Sequence, residues 1–285
     1  MIINRQTTAL VVDSTSDLPS HMAADPSITM VPLTVYFGDE AFLDWVDIQP
    51  DEFYRKLAAA PQLPRTSQPS AGAFLEEYKR LRQKYERVYS VHLSSHLSGT
   101  IASAEVARQQ IDGVELVDSE MATCGVSLLV DRLLALMDKG VAEEEFKAYI
   151  EHFLKNKVLL FLPTTLDQLA KGGRIGRASH LVGTLLNVKP VLGIVDGVVD
   201  VYKKVRGLGQ ALEALRDGIL EATEPGKTAY LALAHGLNEE LLRELRHLLE
   251  EVDDRDFQVR FTTIVGAVIG TYAGPGAVAV AAIKE

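Results

Sequence analysis

The sequence predicts an α/β protein in two parts. An N-terminal α/β sheet with crossover helices covers residues 1–157, and a C-terminal mixed α+β domain covers 158–285. Three observations carry this reading. Through the first half, short all-apolar runs such as Ala9-Leu10-Val11-Val12 alternate with helix-periodic stretches, the pattern of parallel strands covered on both faces. After residue 157 the alternation yields to a hairpin signal, Asp196-Gly197 between apolar runs at 191–195 and 198–202. A chain of 285 residues, 47% hydrophobic, also has enough core material for two domains of ordinary size.

The strand at 9–12 runs into Asp13-Ser14-Thr15-Ser16-Asp17, a polar turn that serves either a ligand or the cap of the next helix. Residues 28–37 form a further strand, with Pro32 marking it as edge or bulged. Residues 38–50 are irregular. Pro50-Asp51-Glu52 opens a helix, with acidic residues placed to favour its N-terminus. Residues 61–70 form a proline-punctuated extended loop, and Ser70 caps a helix with Phe74, Tyr78, Leu81 and Tyr85 on one face. A buried strand at 88–93 leads through a turn to a helix with Ile101, Ala104, Ala107 and Ile111 in register. A strand at 114–119, an apolar helix at 123–138 closed near Gly140, and a charged helix at 143–154 complete the first part.

In the second part the spacing predicts a strand at 158–163, a short helix at 165–170 broken by Lys171-Gly172-Gly173-Arg174, and another short helix at 179–186. The 191–202 hairpin follows. Then come a helix at 208–221, a strand at 229–234, a helix at 239–250 started by Asn238, and a strand at 257–264. Residues 266–283 are glycine-rich and apolar, with Gly274-Pro275-Gly276 inside.

Composition excludes several function classes. The net charge of −10 and a pI near 5.3 argue against nucleic acid or an anionic membrane as a standing partner. One cysteine, Cys124, allows no intrachain disulfide and no cysteine-based metal cluster, and its apolar neighbours mark it as a buried hydrophobe. The N-terminus lacks the apolar core of a signal peptide and no run reaches transmembrane length, so the expected location is the cytoplasm, without stable membrane insertion.

The chemistry concentrates at residues 92–104. Ser98 stands as the N-cap of the helix, with the N–H groups of Gly99 and Thr100 free to meet an anion. An ordinary capped helix accounts for the same residues. Four hydroxyls and two imidazoles in one turn, from His92 to Thr100, favour a site. The second concentration is Lys171-Gly172-Gly173-Arg174-Ile175-Gly176-Arg177, with cations around glycines that permit close backbone approach, suited to a phosphate or carboxylate. It is not a Walker loop, and Gly207-Leu208-Gly209 lacks the third glycine of a dinucleotide fingerprint. The histidines show no metal-ligand spacing, so neither metal nor cofactor is expected. A serine-dependent lipid hydrolase or acyl-transfer enzyme, with Ser95 or Ser98 beside His92, His96 and Asp118, is the alternative; it lacks the Gly-x-Ser-x-Gly elbow.

Five spaced motifs now coincide: Asp13-Ser14-Thr15-Ser16-Asp17-Leu18, Thr66-Ser67-Gln68-Pro69-Ser70, Ser94-Ser95-His96-Leu97-Ser98-Gly99-Thr100, Leu169-Ala170-Lys171-Gly172-Gly173-Arg174-Ile175 and Gly274-Pro275-Gly276. In this order the chain resembles the DegV family over essentially its whole length. The resemblance implies a bacterial, non-catalytic lipid-binding protein with a ligand tunnel between two domains. The ligand would be a long-chain fatty acid such as palmitate or oleate, in some members held as the binding subunit of a fatty acid kinase that serves phospholipid synthesis. By the same resemblance, Thr66 and Ser98 match the hydroxyls that meet the carboxylate, Arg174 the nearby arginine, and Ser95, Gly99 and Tyr272 complete the expected set. Tyr272 stands where some kinase-coupled members carry histidine before Gly-Pro-Gly.

Overall fold

The computed structural model describes residues 1–181 and 188–284. Two sheets dominate. One is four-stranded and wholly parallel, in the order Ile28–Val31, Thr8–Asp13, Arg87–His92, Val114–Asp118. Its two central strands are buried almost end to end, which explains apolar runs without polar alternation. The other is six-stranded and mixed: Val198–Val205, Lys189–Val195, Lys157–Leu162, Val278–Lys284, Thr228–His235, Asp256–Ile264. Only its last pairing, Thr228–His235 with Asp256–Ile264, is parallel.

The layers follow from which faces are apolar. Helix Cys124–Lys139 lies between the sheets. It shares one core with Leu10, Val12, Tyr89 and Val91 of the parallel sheet and with Ala232, Ala234, Ala281 and Ile283 of the mixed sheet. Helices Ala71–Arg82 and Thr100–Arg108 cover the outer face of the parallel sheet through Phe74, Tyr78 and Ala104. Helices Leu208–Ala222 and Glu239–Glu250 cover the far face of the mixed sheet through Leu215, Ile219 and Leu245. Each fully buried leucine or isoleucine contributes about 1.5–3 kcal/mol relative to exposure. Ser70 and Asn238 cap as their sequence positions predict, accepting from the N–H groups of Ala73 and Leu241 at 3.2 Å each. Asp196 and Gly197 both take positive φ, as a type I′ hairpin turn requires.

Several expectations change. The strand at 28–37 divides at Pro32, which has no N–H for a ladder. Ile28–Val31 stays at the edge of the parallel sheet, whereas Thr34–Phe37 becomes the centre of a separate three-stranded antiparallel sheet. Its neighbours are Glu40–Leu43, from the stretch expected to be irregular, and Arg65–Ser67, from the expected extended loop. Thr66 therefore sits on a strand, opposite Val35. The helix after residue 98 begins at Thr100, with Gly99 in the cap position, so Ser98 is not its N-cap. The short helix expected over 179–186 appears as a 3₁₀ turn over Gly176–Leu181, and its remainder lies outside the described residues. The glycine-rich end forms helix Ala267–Ala273, the Gly-Pro-Gly turn and strand Val278–Lys284, a buried inner strand of the mixed sheet.

Candidate functional site

At the carboxyl ends of the parallel strands, where open α/β sheets place ligands, the chain encloses a cavity of about 330 Å³. Leu33 and Leu93, each just past the end of a parallel strand, line one side, and Leu159, Phe161, Ile194 and Ala279 of the mixed sheet line another. Helix Ala267–Ala273 forms a wall with Val268, Ile269, Tyr272 and Ala273, whose spacing puts them on one helix face. The helix at 123–138 and the described residues of the segment 179–195 contribute little to the lining. Helix Cys124–Lys139 fills the space between the sheets instead, and only the residues leading into it, Ala122 and Thr123, touch the cavity. From 179–195, Ile194 is the lining residue among those described.

Thr66, Tyr272, Arg174 and Ser98 make up most of the polar lining. The hydroxyls of Thr66 and Tyr272 share a hydrogen bond. The Arg174 guanidinium lies 4.9 Å from the centroid of the Tyr272 ring. Its Nη1 donates to the carbonyl of Gly172 at 2.7 Å and its Nε points to the carbonyl of Leu97 at 3.4 Å. Ser98 follows Leu97, accepts from the Thr100 N–H at 3.3 Å, and pairs with the Thr100 hydroxyl at 2.8 Å. Arg174 is the one charged side chain among the described lining residues. Lys171 and Arg177 stand outside; Arg177 pairs with Asp200 at 3.2 Å. The close approach that Gly172 permits is by Tyr272, since a Cβ on Gly172 would sit 2.4 Å from the ring.

Of the residues expected at the site, Thr66, Ser98, Arg174 and Tyr272 come together around the cavity. Ser95 and Gly99 do not line it. Ser95 is exposed, with its N–H directed at the Asp118 carboxylate at 3.3 Å. Gly99 is covered by the Gln68 amide, which would clash with any Cβ there. Gln68 and Ser67 do line the cavity, although only their place in the Thr66–Ser70 motif pointed to them. The apolar lining gave no local signal, because Leu159 or Val265 reads as ordinary core.

The histidines take no part in the lining. His92 bonds through Nδ1 to Asp13 at 3.0 Å and through Nε2 to Ser90 at 2.7 Å, and Tyr78 donates to Ser90 at 2.8 Å. Ser90, His92 and Asp13 thus form a hydroxyl–imidazole–carboxylate series, but all three are fully buried and none touches the cavity. Asp13 also accepts from the N–H groups of Thr15 and Leu93, so the polar turn at 13–17 is held as internal structure. Ser98 pairs with a threonine rather than a histidine. Burial pushes the Cys124 thiol far above its ordinary range.

Fold and cavity together define an α/β protein, built on two large sheets, that encloses a mostly apolar-walled space with one cation among the described lining residues and a cluster of hydroxyls. The chain belongs to the DegV family, whose sequence profile, described as an uncharacterised DegV family protein, matches residues 7–285. A DegV domain-containing protein of Deinococcus radiodurans is 37% identical over 278 residues, covering 96% of this chain and 97% of the relative. Among solved structures, a DegV family protein from Thermus thermophilus, reported with its fatty acid binding, superposes with a TM-score of 0.91 at 33% identity, over 98% of this chain and 100% of that one. DegV of Bacillus subtilis, described as a fatty acid binding protein, gives 0.86 at 29% identity, over 98% and 100%. Fatty acid binding is thus the property reported for DegV proteins of this fold. No helix among the described residues is long and apolar enough to cross a membrane.

Proposed function

We propose that this protein binds a long-chain fatty acid in the cavity. The carboxylate meets Thr66, Ser98, Arg174 and Tyr272, and the tail lies against Leu93, Phe161, Ile194 and Ala279. The observation that carries the reading is a cavity whose described lining has a single charged side chain, a cation, beside hydroxyls, and is mostly apolar elsewhere. A buried carboxylate is costly unless hydrogen-bonded, and this end offers a guanidinium and three hydroxyls. Each methylene withdrawn from water contributes about 0.8 kcal/mol, so the tail dominates affinity. The cavity falls in the lower part of the range for small-molecule sites, about 300–1,000 Å³.

We read the role as carriage, since the Ser98 hydroxyl at the polar end pairs with the Thr100 hydroxyl rather than with a base that would activate it. We attach delivery of the acid to a fatty acid kinase to this reading as its further step, with Arg174 next to the group to be phosphorylated. Native mass spectrometry of the purified protein tests the binding. The expected result is a co-purified saturated or monounsaturated acyl chain, and added palmitate or oleate should raise Tm, since a ligand of the folded state stabilises it. An empty protein that neither acid stabilises would sink the proposal. Stoichiometric labelling by a serine-directed fluorophosphonate, lost in Ser98→Ala, would replace it with the hydrolase.

A further inference from the structure

The polar end of the cavity carries two side chains that the proposed carboxylate does not need. Ser67 and Gln68 both line it, directly after Thr66 in the chain. The Ser67 hydroxyl lies 3.4 Å from that of Tyr36. Gln68 is exposed to solvent as well as to the cavity, so it stands at the mouth.

A surface glutamine is ordinarily free to move, but this one is seated. Its Nε2 donates to the Ser103 hydroxyl at 3.1 Å, which leaves Oε1 as an acceptor. The amide lies against Gly99, where a Cβ would come within 2.3 Å of Oε1 and 2.8 Å of Nε2. Gly99 has φ −76° and ψ 10°, a backbone that other residues adopt. The glycine is therefore needed for the room it leaves the amide, not for the turn. Because Gly99 follows Ser98, the seat sets the amide beside a hydroxyl of the carboxylate site.

A carboxylate presents about four acceptor sites and no donor. The Thr66–Tyr272 pair, Ser98, and the Arg174 N–H groups not used on the Gly172 and Leu97 carbonyls supply its donors. A side-chain amide and a serine hydroxyl each accept as well as donate, so they suit a ligand group that does both.

We propose that Gln68, seated on Gly99, reads a hydroxyl on the second or third carbon of the acyl chain, so that the protein binds 2- or 3-hydroxy long-chain acids more tightly than the plain acid. This deepens the fatty-acid reading and rests on it. The hydroxyl donates to Gln68 Oε1, with the Ser67 hydroxyl as the neighbouring partner, while the carboxylate stays with Arg174 and the site hydroxyls. Further along the tail the same hydroxyl would meet Leu93, Phe161, Ile194 or Ala279, and a hydroxyl buried without a partner is penalised. Gln68 is the specificity-determining residue, and Gly99 is a positioning residue that acts through it.

The test is displacement of a fluorescent fatty acid from the whole protein. The competitors are palmitate, the separate enantiomers of 2-hydroxy- and 3-hydroxyhexadecanoate, and 12-hydroxyhexadecanoate. For the 2- or the 3-hydroxy acid, one enantiomer should bind about tenfold more tightly than palmitate, the upper end for one neutral hydrogen bond. A fixed amide meets a hydroxyl of one hand only. The 12-hydroxy acid should bind more weakly than palmitate. In Gln68→Leu the ratio of hydroxy-acid to palmitate affinity should fall by that same factor. Gly99→Ala keeps the amide but pushes it off its seat, so the ratio should fall there too; the atoms displaced are the end of a flexible side chain. A wild-type ratio at or below one for every 2- and 3-hydroxy acid, or a ratio that neither variant changes, overturns the inference. Equal gains for both enantiomers, or for the 12-hydroxy acid, also overturn it, since neither needs a seated amide. Palmitate binding without any hydroxy-acid gain sinks this inference alone, whereas failure of every acid to bind sinks the fatty-acid reading with it.

Discussion

Thr66 and Tyr272, 206 residues apart in the chain, join their hydroxyls in a hydrogen bond at the polar end of the cavity. The bond ties the small antiparallel sheet to the helix that follows the mixed sheet's edge strand. Two hydroxyls that share one bond still have one proton to donate, and an incoming carboxylate is its natural acceptor.

Thr66→Val and Tyr272→Phe should therefore weaken palmitate binding non-additively. Each single change should cost about 1–3 kcal/mol, and the coupling between them should reach about 0.5–3 kcal/mol. Displacement of a fluorescent fatty acid from the two singles and the double measures this. Strict additivity would mean that the two hydroxyls do not act as a unit.

Removing the charge should affect the head group and spare the tail. Arg174→Ala should cost palmitate about 1.5–3 kcal/mol, the range for a hydrogen bond to a charged group, while uncharged hexadecanol binds nearly as before. Arg174→Lys should restore little, because an ammonium cannot stack on the Tyr272 ring while reaching the Gly172 carbonyl. Equal losses for acid and alcohol would remove Arg174 from the carboxylate site. With a competent kinase partner, Arg174→Ala should reduce phosphorylation more strongly than binding.

Gly172→Ala should displace the Tyr272 ring, which a new Cβ would meet at 2.4 Å. The expected loss of stability is about 1–3 kcal/mol, as for overpacking. In a Tyr272→Ala background the same change should cost far less. Chemical denaturation of the four proteins decides, and an equal cost in both backgrounds would show that the ring is not the obstacle.

Ser98→Ala separates binding from capping. The Ser98 hydroxyl accepts from the Thr100 N–H at 3.3 Å and pairs with the exchangeable Thr100 hydroxyl at 2.8 Å, and Gly99 holds the cap position. Ligand-free stability should change by about 0.5 kcal/mol or less, as at sites away from caps and core. Palmitate affinity should fall by about 1.5–3 kcal/mol. A large drop in ligand-free Tm would return Ser98 to a structural role.

Stability should also respond to pH through Asp44. Its folded-state pKa is raised to about 7 from an ordinary 3.8, so the folded protein holds a proton that the unfolded chain has lost. The contribution is fully present below about pH 4 and disappears as pH rises through about 7. At 1.36 kcal/mol per pKa unit, its size is on the order of a few kcal/mol. The difference in denaturation free energy between wild type and Asp44→Asn, followed from about pH 5 to pH 8, should shift in that direction. No pH-dependent difference would exclude the raised pKa.

Much of the architecture was legible because it is local. Apolar runs such as Ala9–Val12 and Val88–Val91 report burial on both faces, Ser70 and Asn238 announce helix starts, and Asp196-Gly197 demands its turn, all within a few residues. The strand Val278–Lys284 was harder to recognise: alanine-rich and preceded by glycines, it has weak intrinsic strand preference and gains its place from the strands on either side. Pro32 signalled a disturbance, but not that the chain would pass there from one sheet to another.

The residue types near the site were also present in the sequence: the hydroxyls at 66 and 98, Arg174 beside its glycines, and Tyr272 before Gly-Pro-Gly. Their convergence was settled by tertiary structure. Sequence pattern reads contacts a few residues apart, whereas the Thr66–Tyr272 bond, the stacking of Arg174 on Tyr272 and the hold of Asp17 and Asp44 on helix Ala267–Ala273 arise only after the sheets and the helices between them have packed. The same packing gives two ordinary aspartates a shared burial that moves their protons, and it turns leucines and alanines indistinguishable from core into the walls of a cavity.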